Sequence, residues 1–343
     1  MLNMRTLRRT ITVTAFSVGL SGIAAAQDFY RLATLGPGSS PYMVMSTFAQ
    51  MVSDELDGVQ IQVNATGVAT QHAVNAANGQ LDFFMLAPIV HNNMMEGTAM
   101  YASVPDAPEL AKNLRSLFIF PLGLYHIVVQ ADSDIHSLED IRGKTVFLGP
   151  PGGSAAVTMA SLLRAATGME QEKDYAPVRV GWDAAAQAFQ DGRIDVYANP
   201  TIPPSPVIQQ MTLSRQIRLI GLSEQDLAQE GVQGLINRAG GRQGVIEVDV
   251  YDGRLDNDED VATIGSYAGI GTHAGLDEDV IYDITKAFWE AADRARGTTP
   301  WLRQVNLEDA FTDLNMPLHP GALRYYREID IDVPDDLIPE EAR

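Results

Sequence analysis

The 343-residue chain is 45% apolar, enough for a large core and two domains, and its formal charge of −20 argues against nucleic acid and anionic membrane surfaces as partners. It contains no cysteine, which excludes disulfides, thiol chemistry and thiolate metal sites.

Arg5, Arg8 and Arg9 form a basic start, Ile11 to Ile23 is an apolar run short for a bilayer span, and Ala24-Ala25-Ala26 supplies small residues for cleavage. This predicts a signal peptide over 1–26, general secretory export to the periplasm and Gln27 as the mature start. Phe29 to Leu35 then reads as a strand, and Gly36-Pro37-Gly38-Ser39-Ser40-Pro41 as a turn opening a helix from about Tyr42 to Leu56. Val59 to Val63 is a second strand, Thr66-Gly67-Val68-Ala69-Thr70 opens a second helix through about Asn78, and Asp82 to Ala87 is a third strand broken by Pro88. Leu114 to Phe120 and Leu122 to Gln130 are two apolar runs split by Pro121.

Thr145 to Gly168 combines a β-rich run, the turn Gly149-Pro150-Pro151-Gly152-Gly153, Ser154 at the expected N-cap, and a helix ending at Gly168. Unpaired N–H groups and the helix dipole suit such a start to a carboxylate, sulfonate or phosphate, while the lack of a lysine after the glycines argues against a nucleotide triphosphate. Further strands are expected over Val178 to Trp182, Asp195 to Ala198, Ile217 to Leu222 and Val261 to Thr272. Helices are expected from Asp183, from Ser205, from Ser223, over Asp277 to Ala295 and over Pro320 to Glu328. Strands alternating with helices predict an α/β fold with parallel pairing and right-handed crossovers.

Two segments share an order: Asn75 to Leu86 (NAANGQLDFFML) and Gln187 to Ala198 (QAFQDGRIDVYA) each read as a helix end, Gly-x-Leu/Ile-Asp, then a strand. They predict two related lobes, 27–125 plus 264–343 and 126–263, with the ligand between them at the carboxyl ends of the strands. The candidate ligand residues are Ser39, Ser40 and Tyr42; Thr66, Gly67 and Thr70; Gly152, Gly153, Ser154 and Ala155, as an anion-binding turn; Trp182 as a cleft wall; Asn199; and Tyr125 at the crossover. The histidines lack metal spacing, and Asp256-Asn257-Asp258-Glu259-Asp260 lacks the glycine and distant glutamate of a calcium loop, so it reads as a solvated acidic turn. No metal or other cofactor is expected.

With these residues in hand, the chain resembles the TAXI family of solute-binding proteins that serve TRAP-type transporters. The resemblance rests on Ala65 to Phe83, His126 to Thr158, Ala186 to Val196, Leu255 to Gly265 and Asp277 to Glu290, with the strand–GPPG–Ser–helix element the most specific. It implies a two-lobed periplasmic binding protein of type II, each lobe a mostly parallel sheet with flanking helices. Such a protein would act as a monomer, close on a small organic anion and deliver it to the membrane subunits of a TRAP transporter. The rival reading is a secreted hydrolase or deaminase on the same fold. Against it stand the lack of cysteine, of a GxSxG elbow and of a Ser-His-Asp set.

Overall fold

The computed structural model describes residues 27–343, so the signal peptide read over 1–26 lies outside the described residues. The strands in chain order are β1 (Asp28–Ala33), β2 (Val59–Asn64), β3 (Phe83–Leu86), β4 (Leu114–Gln130), β5 (Thr145–Phe147), β6 (Ala176–Pro177), β7 (Val196–Thr201), β8 (Ile217–Leu219), β9 (Gly241–Ile246) and β10 (Val261–His273). The helices are α1 (Ser40–Glu55), α2 (Ala69–Ala77), α3 (Pro88–Glu96), α4 (Ala107–Ala111), α5 (Ser154–Thr167), α6 (Trp182–Gln190), α7 (Pro206–Ser214), α8 (Glu224–Leu227), α9 (Glu230–Ile236), α10 (Glu278–Ala295) and α11 (Pro320–Glu328). The fold is α/β, with one continuous sheet ordered β2-β1-β3-β10-β4-β7-β5-β6, to which β8 adds beside β4 and β9 beside β10.

Pairing is parallel among β2, β1 and β3 and among β6, β5 and β7. The long strands β4 and β10 instead run antiparallel to each other and to β7 and β3, so the sheet is mixed, with its parallel parts confined to the two sides. The split expected at Pro121 does not occur: β4 is a single 17-residue strand. A bulge accommodates the proline. Pro121 faces Tyr267 and Gly123 faces Ser266, leaving Leu122 as the extra residue, and proline's missing donor falls at this irregularity.

The buried side chains change partners along these long strands. One cluster draws on Leu32 to Leu122 and resumes at Ala268, with Ile202 from the intervening chain. Two others are built from Leu124 to Ile264. In the first, Phe118 stacks on Phe288 with ring centroids 4.7 Å apart, which fixes α10 against β4.

The internal similarity is a shared geometry. At the end of α2, Gly79 is left-handed (φ 69°) and the Gln80 amide donates to the Asn75 carbonyl (2.8 Å); at the end of α6, Gly192 (φ 71°) and the Arg193 amide to Ala188 do the same (2.8 Å). The aspartate that follows then bridges to the next parallel strand. Asp82 accepts the Arg31 amide (2.6 Å) and Asp195 the Thr145 amide (2.7 Å). Each aspartate amide also donates back to the same residue's carbonyl.

Three local expectations need correction. Val178 to Trp182 is not a strand: the pairing ends at Pro177, and α6 begins at Trp182 with extended Gly181 as its N-cap, so Asp183 sits in the first turn. Pro88 does end β3, but it also opens α3, where its fixed φ and missing donor suit a first helical turn. The acidic turn is not merely solvated. Asn257 exchanges two hydrogen bonds with the Leu219 backbone and Asp256 pairs with Arg218, which ties the turn to β8.

Candidate functional site

The carboxyl ends of β1, β3 and β7 and the middles of β4 and β10 surround a cavity of about 250 Å³. Its wall also holds the first residues of five helices: Ser39 and Pro41 at α1, Val68 and Ala69 at α2, Pro88 at α3, Ser154 at α5, and Gly181 and Trp182 at α6. Of these five only α1 has a side-chain cap, the Tyr42 amide donating to the Ser39 hydroxyl (3.3 Å); α2, α3, α5 and α6 have none. Each helix start carries partial positive charge. Five starts around one small volume raise its potential inside an acidic body.

The turn before α5 depends on Gly149. Its φ is +130°, and a Cβ there would lie 2.8 Å from the Ala156 amide nitrogen, so only glycine lets the backbone fold onto the helix start. Gly153, extended at φ −85° and ψ 149°, is the N-cap, which makes Ser154 the first helical residue rather than the cap.

Of the residues expected from sequence, Ser39, Thr66, Gly67, Tyr125, Gly153, Ser154, Ala155 and Trp182 line the cavity. Ser40 instead bonds Thr201 Oγ1 (2.8 Å) and the Ile202 amide (3.0 Å), both inside the core. Asn199 is fully buried and donates to the Gly38 carbonyl (3.2 Å) and the Tyr197 hydroxyl (2.9 Å). Tyr42 lies in separate surface clefts, Thr70 accepts the Tyr101 hydroxyl on its carbonyl (2.9 Å), and Gly152 faces a groove on the other side of the α5 turn. Gly67 has φ +84°, and a Cβ would crowd the His72 ring at 2.9 Å, so the turn into α2 needs glycine.

Sequence reasoning missed Arg238, which lies in the turn between α9 and β9. It is half-buried, and among the described residues no carboxylate pairs with it; its Nη2 donates to Thr158 Oγ1 (2.6 Å). Thr158 lies one turn into α5 beside Tyr125, whose hydroxyl donates to the Ala155 carbonyl (3.1 Å). Burial pushes the Tyr125 phenol up to about 12 and lowers the Arg238 pKa, so the tyrosine stays neutral. Arg238 is the one charged side chain in the described lining. The remaining wall is largely apolar and includes Leu35, Met85, Ile89, Leu122 and Trp182. The available signal was Asn237-Arg238-Ala239-Gly240-Gly241, a cationic residue just before a glycine turn. His126 takes no part in this wall. It is fully buried, its Nδ1–H donates to the Leu124 carbonyl (2.9 Å), and its Nε2 accepts the Tyr251 hydroxyl (2.7 Å).

A mixed α/β sheet with a covered cavity at its strand ends is a ligand-holding architecture. The chain belongs to the NMT1-like family, whose model matches residues 32–329. It is similar to the alkanesulfonate-binding protein of Xanthomonas axonopodis pv. citri bound to MOPS, at 16% identity and a TM-score of 0.48, over 93% of this chain and 99% of that one. It is also similar to a TRAP periplasmic solute-binding protein of Ralstonia eutropha H16 with bound (S)-2-acetolactate, at 13% identity and 0.46, over 88% and 90%. The periplasmic aliphatic sulphonate-binding protein of Escherichia coli matches at 16% identity and 0.45, over 88% and 84%.

Proposed function

We propose that this chain is an exported solute-binding protein that captures a small organic anion in the cavity and hands it to a membrane transporter. The observation that carries the reading is Arg238, a cation without a carboxylate partner among the described residues, facing a small cavity ringed by helix starts. Holding a half-buried charge without a counter-ion costs stability, and a ligand anion would offset that cost. The change of core partners between Leu122 and Leu124 and between Ile264 and Ala268 supports two lobes, 27–125 plus 264–343 and 126–263, hinged where β4 and β10 cross. Among the described residues no lining serine hydrogen-bonds a histidine: His126 is held inside the core and His72 bonds the Thr66 carbonyl, which favours binding over acyl chemistry.

The test is Arg238→Gln in the mature protein, after a thermal-shift screen of organic acids has given a ligand. A hydrogen bond to a charged group is worth roughly 1.5–3 kcal/mol, so affinity should fall by about ten- to a hundredfold. The ligand-free melting temperature should hold or rise, because an uncompensated charge is removed. Unchanged affinity would sink the reading. The finer assignment, a TAXI-type component of a TRAP transporter, rests on the sequence blocks named above. It requires that deleting the gene abolish uptake that depends on an ion gradient; uptake that is lost on ATP depletion while the gradient is held would exclude it.

A further inference from the structure

The carbonyls of Gly36, Thr66, Pro88, Gly153, Ala155 and Gly240 all accept bonds within the protein. Their donors are Ser39 Oγ (2.8 Å), His72 Nε2 (2.7 Å), Asn315 Nδ2 (3.0 Å), the Val157 amide (3.4 Å), the Tyr125 hydroxyl (3.1 Å) and the Tyr267 amide (2.8 Å). The donor side is different. Four helix starts lack side-chain caps, Arg238 keeps guanidinium hydrogens beyond its one bond to Thr158, and no lining side chain is a carboxylate. The lining thus offers donors and positive potential but no carboxylate, and is largely apolar elsewhere.

We infer that the cavity selects acids that carry no amino group: a monocarboxylate or 2-oxo acid with an apolar body, in preference to the α-amino acid of the same skeleton. This rests on the anion-binding reading above and sharpens it. An ammonium group would enter a positive region, lose its water and find no carboxylate in the lining to pair with, whereas a carbonyl oxygen in its place could accept from a helix start. The volume agrees. At about 250 Å³ the cavity lies below the range usual for drug-sized ligands, which fits a small acid.

The experiment is calorimetry on the mature chain with matched pairs: pyruvate against alanine, 4-methyl-2-oxopentanoate against leucine, and phenylpyruvate against phenylalanine. In every skeleton that fits, the oxo acid should bind at least about tenfold more tightly than the amino acid, and Arg238→Gln should weaken it. An amino acid that binds as well as its oxo partner, with Arg238 dependence, overturns this inference and leaves the anion reading standing. If neither member of any pair binds, and a wider panel of acids gives no Arg238-dependent binding, both fall.

Discussion

The Ser154 hydroxyl lines the cavity and makes no cap bond, because Gly153 holds the N-cap position. Ser154→Ala should therefore leave the ligand-free stability within about 0.5 kcal/mol, since no intramolecular bond is lost. Affinity for an anion should still fall by about tenfold or more if the hydroxyl donates to it. Unchanged affinity on calorimetry would place the anionic head away from α5, toward the α1 or α2 starts. His126 has an opposite character, a polar side chain with a purely internal role. Burial pushes its pKa down to about 4, and His319 likewise to about 4. The unfolded chain would protonate these rings near their ordinary value of about 6.5, before the folded protein can. Their contribution is thus complete above about pH 6.5 and is lost as pH falls toward 4, by about 3 kcal/mol for His126. Urea unfolding at pH 7 and pH 4.5 should show this loss. His126→Gln should flatten it by close to one proton, and an unaltered slope would mean that other groups carry the acid sensitivity.

At the scale of elements, Asp82 and Asp195 do the same work in different surroundings. Asp82 is buried and accepts the Arg31 amide (2.6 Å) together with Arg31 Nε (3.1 Å). Burial alone would raise its pKa, but the nearby His273 ring (Nε2 3.9 Å away) and the hydrogen bonds from Arg31 outweigh that and hold it well below the usual carboxylate range. Asp195 is exposed and bonds the amide and hydroxyl of Thr145. Asp82→Ala should cost about 2–3 kcal/mol and Asp195→Ala about 1 kcal/mol in urea unfolding, because only Asp82 makes its amide and guanidinium bonds from a buried position. Equal losses would mean that the edge bond, not its burial, sets the cost. This repeated unit was legible in the sequence because its signals are local: a glycine stop, an aspartate, then an apolar run. The turn at Arg238 and strand β9 were not. β9 reads GRQGVI, without the usual β-branched alternation, because its glycines answer to neighbours distant in sequence. A Cβ on Gly244 would lie 2.5 Å from Leu124 Cδ2, and one on Gly241 2.3 Å from the Leu235 carbonyl oxygen. For the same reason half the cavity wall was visible from strand–turn–helix starts, while its cation was not. The misread strand at Val178 to Trp182 shows the converse. Alternating apolar residues can lead into a helix when an extended glycine, here Gly181, supplies the cap.

At the scale of the molecule, the contacts between the proposed lobes away from the crossing strands include two glycines with positive φ. Gly38 (φ +82°) accepts the Asn199 side-chain amide on its carbonyl (3.2 Å). Gly240 (φ +69°) packs against Pro88 so closely that a Cβ would lie 2.8 Å from its Cγ. A proline ring cannot swing aside as a long side chain can. A ligand that binds between the lobes should favour the arrangement in which these contacts are made, so small-angle scattering should give a smaller radius of gyration with ligand than without. Gly240→Val tests whether these contacts matter to capture. The branched side chain would wedge against Pro88 and hold the lobes apart. Placing a non-glycine residue in the left-handed region costs roughly 1–2 kcal/mol, so the variant should fold and melt somewhat below the parent. Its affinity should fall by about tenfold or more, and saturating ligand should no longer contract it. A variant with normal circular dichroism that still contracts on ligand, and binds as the parent does, would show that capture needs no approach of Gly240 to Pro88 and that the lobes are held by the sheet alone.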